Sequence, residues 1–353
     1  MLAERAAMFI RVLAPLAVLA LAVPSGARSA DLTTVHLGLV PSMSAAPLFV
    51  ADQLGYFKQE GLDVQVTTFP SAANMIAPLG AGQLDVGGGA AVASMYNAIG
   101  RGIDVRVVAD LATDPPGYGF QRLIVRSDLV KSGRYKAVAD LKGMTFANNA
   151  RGVGAESQLN KLLEYGGLKF GDVHHVYMGF PDSVVALKNS AIDAVVVPEP
   201  NATVAVQSGA GIDVMGDDVY YPNQEVAVVL YGTTFLRTNR EAGMRFMRAF
   251  LRGVRYYNGA LAKGKLAGPN ADTVIKILTD NTPVKDPGIY RALTAGGSNP
   301  NGTINMASLK TDYDFYASDG LIDHAVDVNT VVDNAFVDDA LKHLGLYKPA
   351  PAR

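Results

Sequence analysis

Short apolar runs alternate with amphipathic stretches along the chain from residue 35 onward. The apolar runs predict strands at residues 35–40, 62–66, 84–87, 105–109, 145–147, 194–197 and 226–231. Helical periodicity follows several of them, beginning near residues 46, 71 and 155. Strands that alternate with helices are typical of α/β folds with mainly parallel sheets. The sequence therefore predicts an α/β protein.

After residue 231 the pattern becomes mostly helical. It predicts helices at residues 240–257, 271–278, 307–317 and 330–344. The first of these helices carries a stripe of arginines, namely Arg245, Arg248, Arg252 and Arg255. We interpret the stripe as a solvated helix face, with docking to a transporter as the alternative.

A weak internal repeat links the two halves of this pattern. Leu79 precedes Asp85 by the same spacing with which Leu187 precedes Asp193, and the two pairs lie 108 residues apart. Phe-Pro pairs at residues 69–70 and 180–181 extend the similarity. Coincidence between ordinary α/β segments is the alternative. So long a period predicts two lobes of similar construction and not a solenoid.

The first residues predict export from the cytoplasm. Arg5 and Arg11 precede an apolar run at residues 12–23, and Ala27-Arg28-Ser29 supplies a small-x-small cleavage pattern. A membrane anchor is the alternative, but the run is shorter than the roughly 20 residues that span a bilayer. We therefore expect a signal peptide at residues 1–29 and a periplasmic protein.

Composition and charge exclude several functions. The 31 Lys and Arg residues nearly balance 33 Asp and Glu residues, which argues against nucleic acid as a partner. Cysteine is absent, so disulfides, thiolate metal sites and thiol nucleophiles are excluded. Common catalytic and dinucleotide motifs are missing, and His174 and His175 point to opposite faces of a predicted strand. We expect no catalytic residue, metal site or cofactor.

Several motifs in fixed order carry a family resemblance. They are residues 46–64, Gly82-Gln83-Leu84-Asp85-Val86, Val107-Val108-Ala109, Asp140-Leu141-Lys142-Gly143, Ile192-Asp193-Ala194, Pro198-Glu199-Pro200, Tyr313-Asp314-Phe315-Tyr316 and Gly320-Leu321-Ile322. Together they resemble the substrate-binding proteins of ABC transporters in the sulfonate, nitrate and thiamine-precursor group, the SsuA/THI5-like or NMT1-like family. The resemblance extends from residue 35 to about residue 345.

The resemblance implies a type II periplasmic binding protein with two lobes and a two-strand hinge. Lobe one would comprise residues 30–122 and 226–353, and lobe two residues 123–225. Such a protein, expected as a monomer, closes on a small solute and delivers it to an ABC permease and its ATPase. The solute would be a sulfonate, carboxylate or thiamine-pyrimidine-like precursor. An enzyme of the pyrimidine-synthase type, whose cysteine-rich motif is absent here, and a receptor for a non-ABC sensor system are the alternatives.

Ligands of such folds bind where strands end and helices begin. In lobe one this rule selects residues of four loops as candidates for binding: Ser42, Ser44 and Ala46; Ser71; Gly89 and Ala90; and Tyr118. Helix capping by the serines, tight turns at the glycine and loop filling by the tyrosine are the alternatives.

In lobe two the loop that follows residues 145–147 predicts an anion site. Its candidates are Asn149, Arg151, Gly152, Val153 and Gly154. Free amides at a helix start and an arginine side chain suit a carboxylate or sulfonate, whereas a solvated Arg151 is the alternative. Glu199 either accepts a hydrogen bond from the ligand or caps the following helix. A neutral heterocycle stacked on Tyr118 is the competing mode of binding.

Overall fold

The computed structural model describes residues 32–348, so the predicted signal peptide lies outside the described residues. The strands in this range are β1 Thr33–Leu39, β2 Leu62–Thr68, β3 Val86–Gly89, β4 Arg106–Thr113, β5 Gln121–Arg126, β6 Thr145–Asn148, β7 His174–Tyr177, β8 Ala194–Pro198, β9 Gly211–Gly216, β10 Glu225–Tyr231, β11 Leu261–Ala262 and β12 Lys265–Leu266.

The helices connect these strands and cover the sheets. They are α1 Ala46–Gln53, α2 Tyr56–Gln59, α3 Ile76–Gly80, α4 Ala93–Gly100, α5 Ser127–Lys131, α6 Gly154–Tyr165, α7 Phe180–Lys188, α8 Asn201–Gln207, α9 Arg240–Asn258, α10 Ala271–Asn281, α11 Pro287–Ala292, α12 Met306–Ser318 and α13 Ala335–Leu344. Within residues 32–348 no helix combines the length and the apolar character needed to cross a membrane.

Two five-stranded sheets form the framework. The first sheet has the order β2-β1-β3-β10-β4 and the second the order β7-β6-β8-β5-β9. In each sheet the fourth strand, β10 or β5, runs antiparallel to its neighbours, and the other paired neighbours are parallel. The predicted α/β class with mainly parallel sheets is confirmed.

The two sheets repeat one plan down to a pair of equivalent aspartates. Asp85 precedes β3, and its carboxylate accepts the backbone N–H of His36 in β1 at 2.8 Å. Asp193 precedes β8, and its carboxylate accepts the backbone N–H of Thr145 in β6 at 2.9 Å. The repeat at a period of 108 residues therefore reflects two sheets with the same strand order, each with an aspartate that accepts a backbone N–H of the neighbouring strand.

Apolar side chains cover both faces of each sheet, as parallel sheets require. In the first sheet, one face packs against α1 and α9, where Phe246 and Phe250 are fully buried. The other face buries Tyr96 of α4 and Tyr316 of α12. The first sheet is therefore packed against helices on both faces, and this packing positions the loops that connect strands to helices.

Some predicted elements differ from the structure. The helix predicted at residues 330–344 is divided, because a 3-10 turn at Val328–Val331 precedes α13 and the Asp333 carboxylate accepts the N–H of Ala335 at 3.0 Å. The solvated face predicted for the arginine stripe is wrong for Arg248, whose side chain is 14% exposed between two carboxylates.

The chain crosses between the two sheets twice. It leaves β4 of the first sheet and enters β5 of the second through residues 114–120, and it returns from β9 to β10 through residues 217–224. The lobe boundaries at residues 122–123 and 225–226 stay a prediction. Because of the two crossings, both sheets border the same group of loops.

Candidate functional site

The loops at the carboxyl ends of parallel strands from both sheets meet at one place. The loop after β1 contacts the loop after β8, where the N–H of Met43 donates to the carbonyl of Glu199 at 3.0 Å. The start of α4, after β3, contacts the loop after β6, where the N–H of Ala93 donates to the carbonyl of Gly152 at 2.9 Å. This is the position at which α/β folds bind ligands.

A small cavity of about 50 Å³ lies among these loops. It is lined by Val40, Ser42, Ser44, Ala72, Gly89, Ala90, Gln121, Asn149, Val153, Gly154, Ala155, Gln158, Phe180, Pro198, Gln224, Val226 and Ala227. Both sheets and the second crossing contribute residues to this lining.

A larger cavity of about 340 Å³ adjoins the small one and shares Val40, Ser42 and Phe180 with it. Its other lining residues are Pro41, Met43, Thr68, Phe69, Pro70, Gly179, Pro181, Asp182, Pro200, Asn201, Leu278, Thr282, Pro283, Val284 and Tyr290. The Phe-Pro pairs of the internal repeat, at residues 69–70 and 180–181, therefore face one space. Its volume suits a small organic molecule.

A comparison with models of protein families identifies the family of this chain. The model of the NMT1-like family matches residues 28–268, which is more than half of the chain. The chain belongs to the NMT1-like family. The resemblance seen in the sequence motifs is confirmed.

Two curated relatives of this NMT1-like protein are named as binding proteins. A putative ABC transporter periplasmic binding protein of Brachyspira hyodysenteriae is 28% identical over 233 residues, which are 59% of this chain and 65% of the relative. A putative aliphatic sulfonates-binding protein of Escherichia coli is 28% identical over 149 residues, which are 42% of this chain and 44% of the relative. The chain thus spans less than two thirds of the length of these two relatives.

Synthases match over a shorter stretch. Four 4-amino-5-hydroxymethyl-2-methylpyrimidine phosphate synthases of Saccharomyces cerevisiae are 32% identical over 87 residues, a quarter (25%) of each chain. The curated relatives that match over longer stretches are binding proteins and not enzymes, as the sequence predicted.

Solved structures show the same fold. The periplasmic nitrate-binding protein NrtA of Synechocystis superposes with a TM-score of 0.72 at 16% identity, covering 89% of this chain and 90% of that one. A Candida albicans protein described as having the generic periplasmic binding protein fold gives a TM-score of 0.63 at 16% identity, covering 86% and 99%. At these identities the likeness shows the fold alone, and it confirms the predicted one.

Seven of the residues proposed from the sequence of this NMT1-like protein line the small cavity: Ser42, Ser44, Gly89, Ala90, Asn149, Val153 and Gly154. Ser42 and Ser44 hydrogen-bond each other through their hydroxyl oxygens at 2.6 Å. At Gly89 a Cβ would lie 2.9 Å from the Cβ of Ala72, so the missing side chain lets the loop after β2 approach β3.

The other proposed residues lie outside both cavities. Ala46 is fully buried in the core at the start of α1, and the Ser71 hydroxyl donates to the side-chain oxygen of Asn74 at 2.9 Å. Tyr118 lines a separate surface pocket beside residues 297–299. The side chain of Arg151 is 65% exposed and lies 3.8 Å from the carboxylate of Asp319.

Glu199 has the position that its capping alternative requires. Its carboxylate accepts the backbone N–H and the hydroxyl of Thr203, each at 2.9 Å, in the first turn of α8. Burial is the main reason that the pKa of Glu199 is raised above its ordinary value. The same carboxylate accepts the N–H of Thr294 at 3.4 Å, so it links the loop after β8 to the segment that follows α11.

The loop that was predicted to bind an anion already hydrogen-bonds a carboxylate of the same chain. Gly152 has a φ of +70°, and its N–H donates to the carboxylate of Glu156 at 2.6 Å. The Tyr177 hydroxyl donates to the other oxygen of that carboxylate at 2.7 Å. Glu156 is fully buried, and burial raises the pKa of its carboxyl. The charge of Glu156 therefore occupies the start of α6.

Sequence reasoning missed three glutamines of the lining, namely Gln121, Gln158 and Gln224. Gln158 and Gln224 are each 1% exposed. The side-chain oxygens of both, and that of Asn149, have no hydrogen-bond partner among the described residues. Phe180 was also missed, although its place in the internal repeat opposite Phe69 was a usable signal.

Buried carboxyl groups lie beside the two crossings. Asp114 and Asp217 form one pair of neighbouring buried carboxyls, and Asp110 and Glu225 form another. Burial raises the pKa of all four carboxyls, so each pair retains a proton well above the usual range for carboxyls. Within residues 32–348 no group of acidic, histidine or cysteine side chains is arranged to hold a metal ion.

Proposed function

We propose that this protein is the periplasmic solute-binding component of an ABC importer. It captures a small organic solute between its two lobes and delivers it to a permease with its ATPase, acting as a diffusing monomer. Relatives named as ABC transporter and sulfonate-binding proteins support this function, as does the family. Export to the periplasm is proposed from Arg5, Arg11 and the apolar run after them.

The observation that carries the proposal is a cavity with walls from both sheets. Ser42 lies in the loop after β1 and Gly89 ends β3 of the first sheet, whereas Asn149 lies in the loop after β6 of the second sheet and Gly154 begins α6. A solute that contacts both walls binds the closed form more tightly than the open one, and it shifts the equilibrium by that difference in affinity. Hinge motion at residues 114–120 and 217–224 is the movement we propose.

Relatives and structural neighbours named for sulfonates and nitrate favour an anionic solute. Anion binding by Asn149, Arg151 and residues 152–154 therefore stays a prediction for this chain. Whether the cavities suit an anion depends on the charges that line them.

A solute screen tests the proposed function. Residues 30–353 are screened by thermal shift against sulfonates, carboxylates, amides and heterocycles, because a ligand at a hundredfold excess over Kd stabilises the native state by about 2.7 kcal/mol. Small-angle scattering then compares the radius of gyration with and without each hit, and we expect compaction.

A pair of matched variants locates the binding. Ser42→Trp places an indole where the two cavities meet and should abolish every hit, whereas Ser208→Trp on the exposed end of α8 should leave the hits unchanged. Hits that survive Ser42→Trp, or a radius of gyration that is constant at saturation, would contradict binding between the lobes.

A further inference from the structure

The residues that line the two cavities carry no positive charge. Among these described residues there is no lysine, arginine or histidine, and the only charged side chain is that of Asp182. An anion transferred from water into such a site would lose its hydration without gaining a countercharge. The lining therefore disfavours a sulfonate or carboxylate.

The start of α6 does not supply the missing positive charge. The N–H of Gly152 already donates to the carboxylate of Glu156 at 2.6 Å. The only arginine of this loop, Arg151, lies outside both cavities with Asp319 as its nearest carboxylate, at 3.8 Å. A second anion here would meet the buried negative charge of Glu156.

The small cavity instead collects hydrogen-bond acceptors. The Nε2 of Gln158 donates to the carboxylate of Asp217 at 2.7 Å, which fixes the orientation of the amide and leaves its oxygen without a partner. The side chain of Gln224 is 1% exposed, and its oxygen likewise has no partner among the described residues. Buried acceptors without partners cost free energy until a ligand supplies donors.

The larger cavity has a different chemistry. Its wall includes the rings of Phe69, Phe180 and Tyr290 and the aliphatic side chains of Leu278 and Val284. At about 340 Å³ it has room for an apolar group that is much larger than nitrate. Since the cavities share Phe180 and Ser42, one ligand can reach both.

We propose that the solute is a neutral or cationic molecule with N–H donors at one end and an apolar body at the other. The N–H end would bind the amide oxygens of Gln158, Gln224 and Asn149, and the body would occupy the larger cavity. This inference rests on the proposed function and specifies its substrate class.

Matched probes test the polar end. Phenylacetamide, phenylacetamidine and phenylacetate share one apolar body, and their cyclohexyl counterparts form a second set. Calorimetry should show the amide and the amidine binding at least about tenfold more tightly than the carboxylate within each set, because only they donate to the amide oxygens. Tighter binding of the carboxylates, or no binding by any of the six compounds, would overturn the proposal.

Two variants of the loop after β6 distinguish a cationic ligand from an anionic one. Asn149→Asp adds a negative charge at the small cavity and should strengthen phenylacetamidine binding about tenfold while abolishing that of phenylacetate. Arg151→Ala removes the positive charge that the competing anion site requires, and the donor-bearing solute predicts no change in affinity or in its salt dependence, because Arg151 is outside the lining. A tenfold loss in Arg151→Ala would restore the anion site.

Mass spectrometry under native conditions on protein purified from its own periplasm separates this inference from the proposed function. A bound anion together with compaction in solution would overturn the donor-bearing solute and leave the proposed function standing. A bound amine or amide would support both. Protein that neither retains a solute nor compacts with any compound of the screen would contradict both.

Discussion

Glu156 is the residue on which the start of α6 depends. Its carboxylate accepts the N–H of Gly152 and the hydroxyl of Tyr177 inside the fold. Negative charge at a helix N-terminus is favourable, and a buried donor left without its acceptor costs free energy.

We expect Glu156→Ala to lower the free energy of unfolding by about 1–3 kcal/mol, and Glu156→Gln to lower it less, since an amide oxygen can still accept one hydrogen bond. Urea denaturation measures both variants. Glu164→Ala, at the exposed end of the same helix, is the control and should stay within about 0.5 kcal/mol of wild type.

The same experiment has a second readout. Sulfate should stabilise Glu156→Ala more than it stabilises the wild-type protein, because the N–H of Gly152 can then donate to an outside anion. Equal losses in Glu156→Ala and Glu164→Ala would show that the buried carboxylate does not have this role.

At the residue scale, the sequence predicted those site residues that follow directly from strand order. Ser42, Gly89 and Asn149 come next to the ends of parallel strands, and such ends converge whatever the side chains are. Gln158 and Gln224 could not be predicted, because one lies within a helix and the other in a crossing. Which side of each faces the cavity depends on tertiary packing.

At the scale of elements, α9 is joined to its neighbours by the arginine stripe. The guanidinium of Arg248 donates to the carboxylates of Glu60, after α2, and of Asp339, in α13, both at 3.0 Å. Arg252 lies 4.1 Å from the ring centroid of Tyr56 and donates to Gln59. The arginine stripe therefore connects α9 to α2 and to α13.

We expect Arg248→Ala to lower the free energy of unfolding by about 2–4 kcal/mol, since it leaves two partly buried carboxylates without a countercharge. Arg248→Lys should recover only part of the loss, because a lysine lacks the planar fork. Chemical denaturation provides the measurement. Arg291→Ala breaks an exposed ion pair with Asp272 and should cost less than about 1 kcal/mol; a similar loss in both variants would contradict this role.

Most elements were predictable, and the exceptions share a cause. The apolar runs identified β1, β2, β4, β6, β8 and β10, because buried strands of parallel sheets are nearly continuous in apolar residues, and the strand predicted at residues 84–87 overlaps β3. β5 and β9 were missed. Arg122 of β5 and Asp213 of β9 form an ion pair at 2.9 Å on one side of these strands, and such charges interrupt the apolar pattern.

At the scale of the whole molecule, the carboxyl pairs beside the crossings make stability depend on pH. Burial raises the pKa of Asp110 to about 6 and that of Asp217 to about 7. A carboxyl with a raised pKa in the folded state stabilises the fold at low pH, and that contribution is lost as pH rises through the folded pKa. The loss therefore falls between about pH 4 and pH 7.

We expect the free energy of unfolding to be higher at about pH 5 than at about pH 8, by roughly 4 kcal/mol. Asp114→Asn should reduce this difference, because an amide donates to Asp217 without a titrating proton. Urea denaturation at both pH values measures the effect, with Asp338→Asn on the exposed face of α13 as the control. A stability that rises toward high pH would contradict the proton held by each pair.

The position of β10 also has a consequence for the order in which the chain folds. All five strands of the second sheet lie in the continuous segment 121–216, whereas the first sheet needs residues 33–113 together with residues 225–231. The place between β3 and β4 stays empty until a segment more than a hundred residues downstream arrives, and closing so long a loop is entropically costly. During vectorial synthesis the half that comes second in the chain therefore acquires its last strand before the half that comes first.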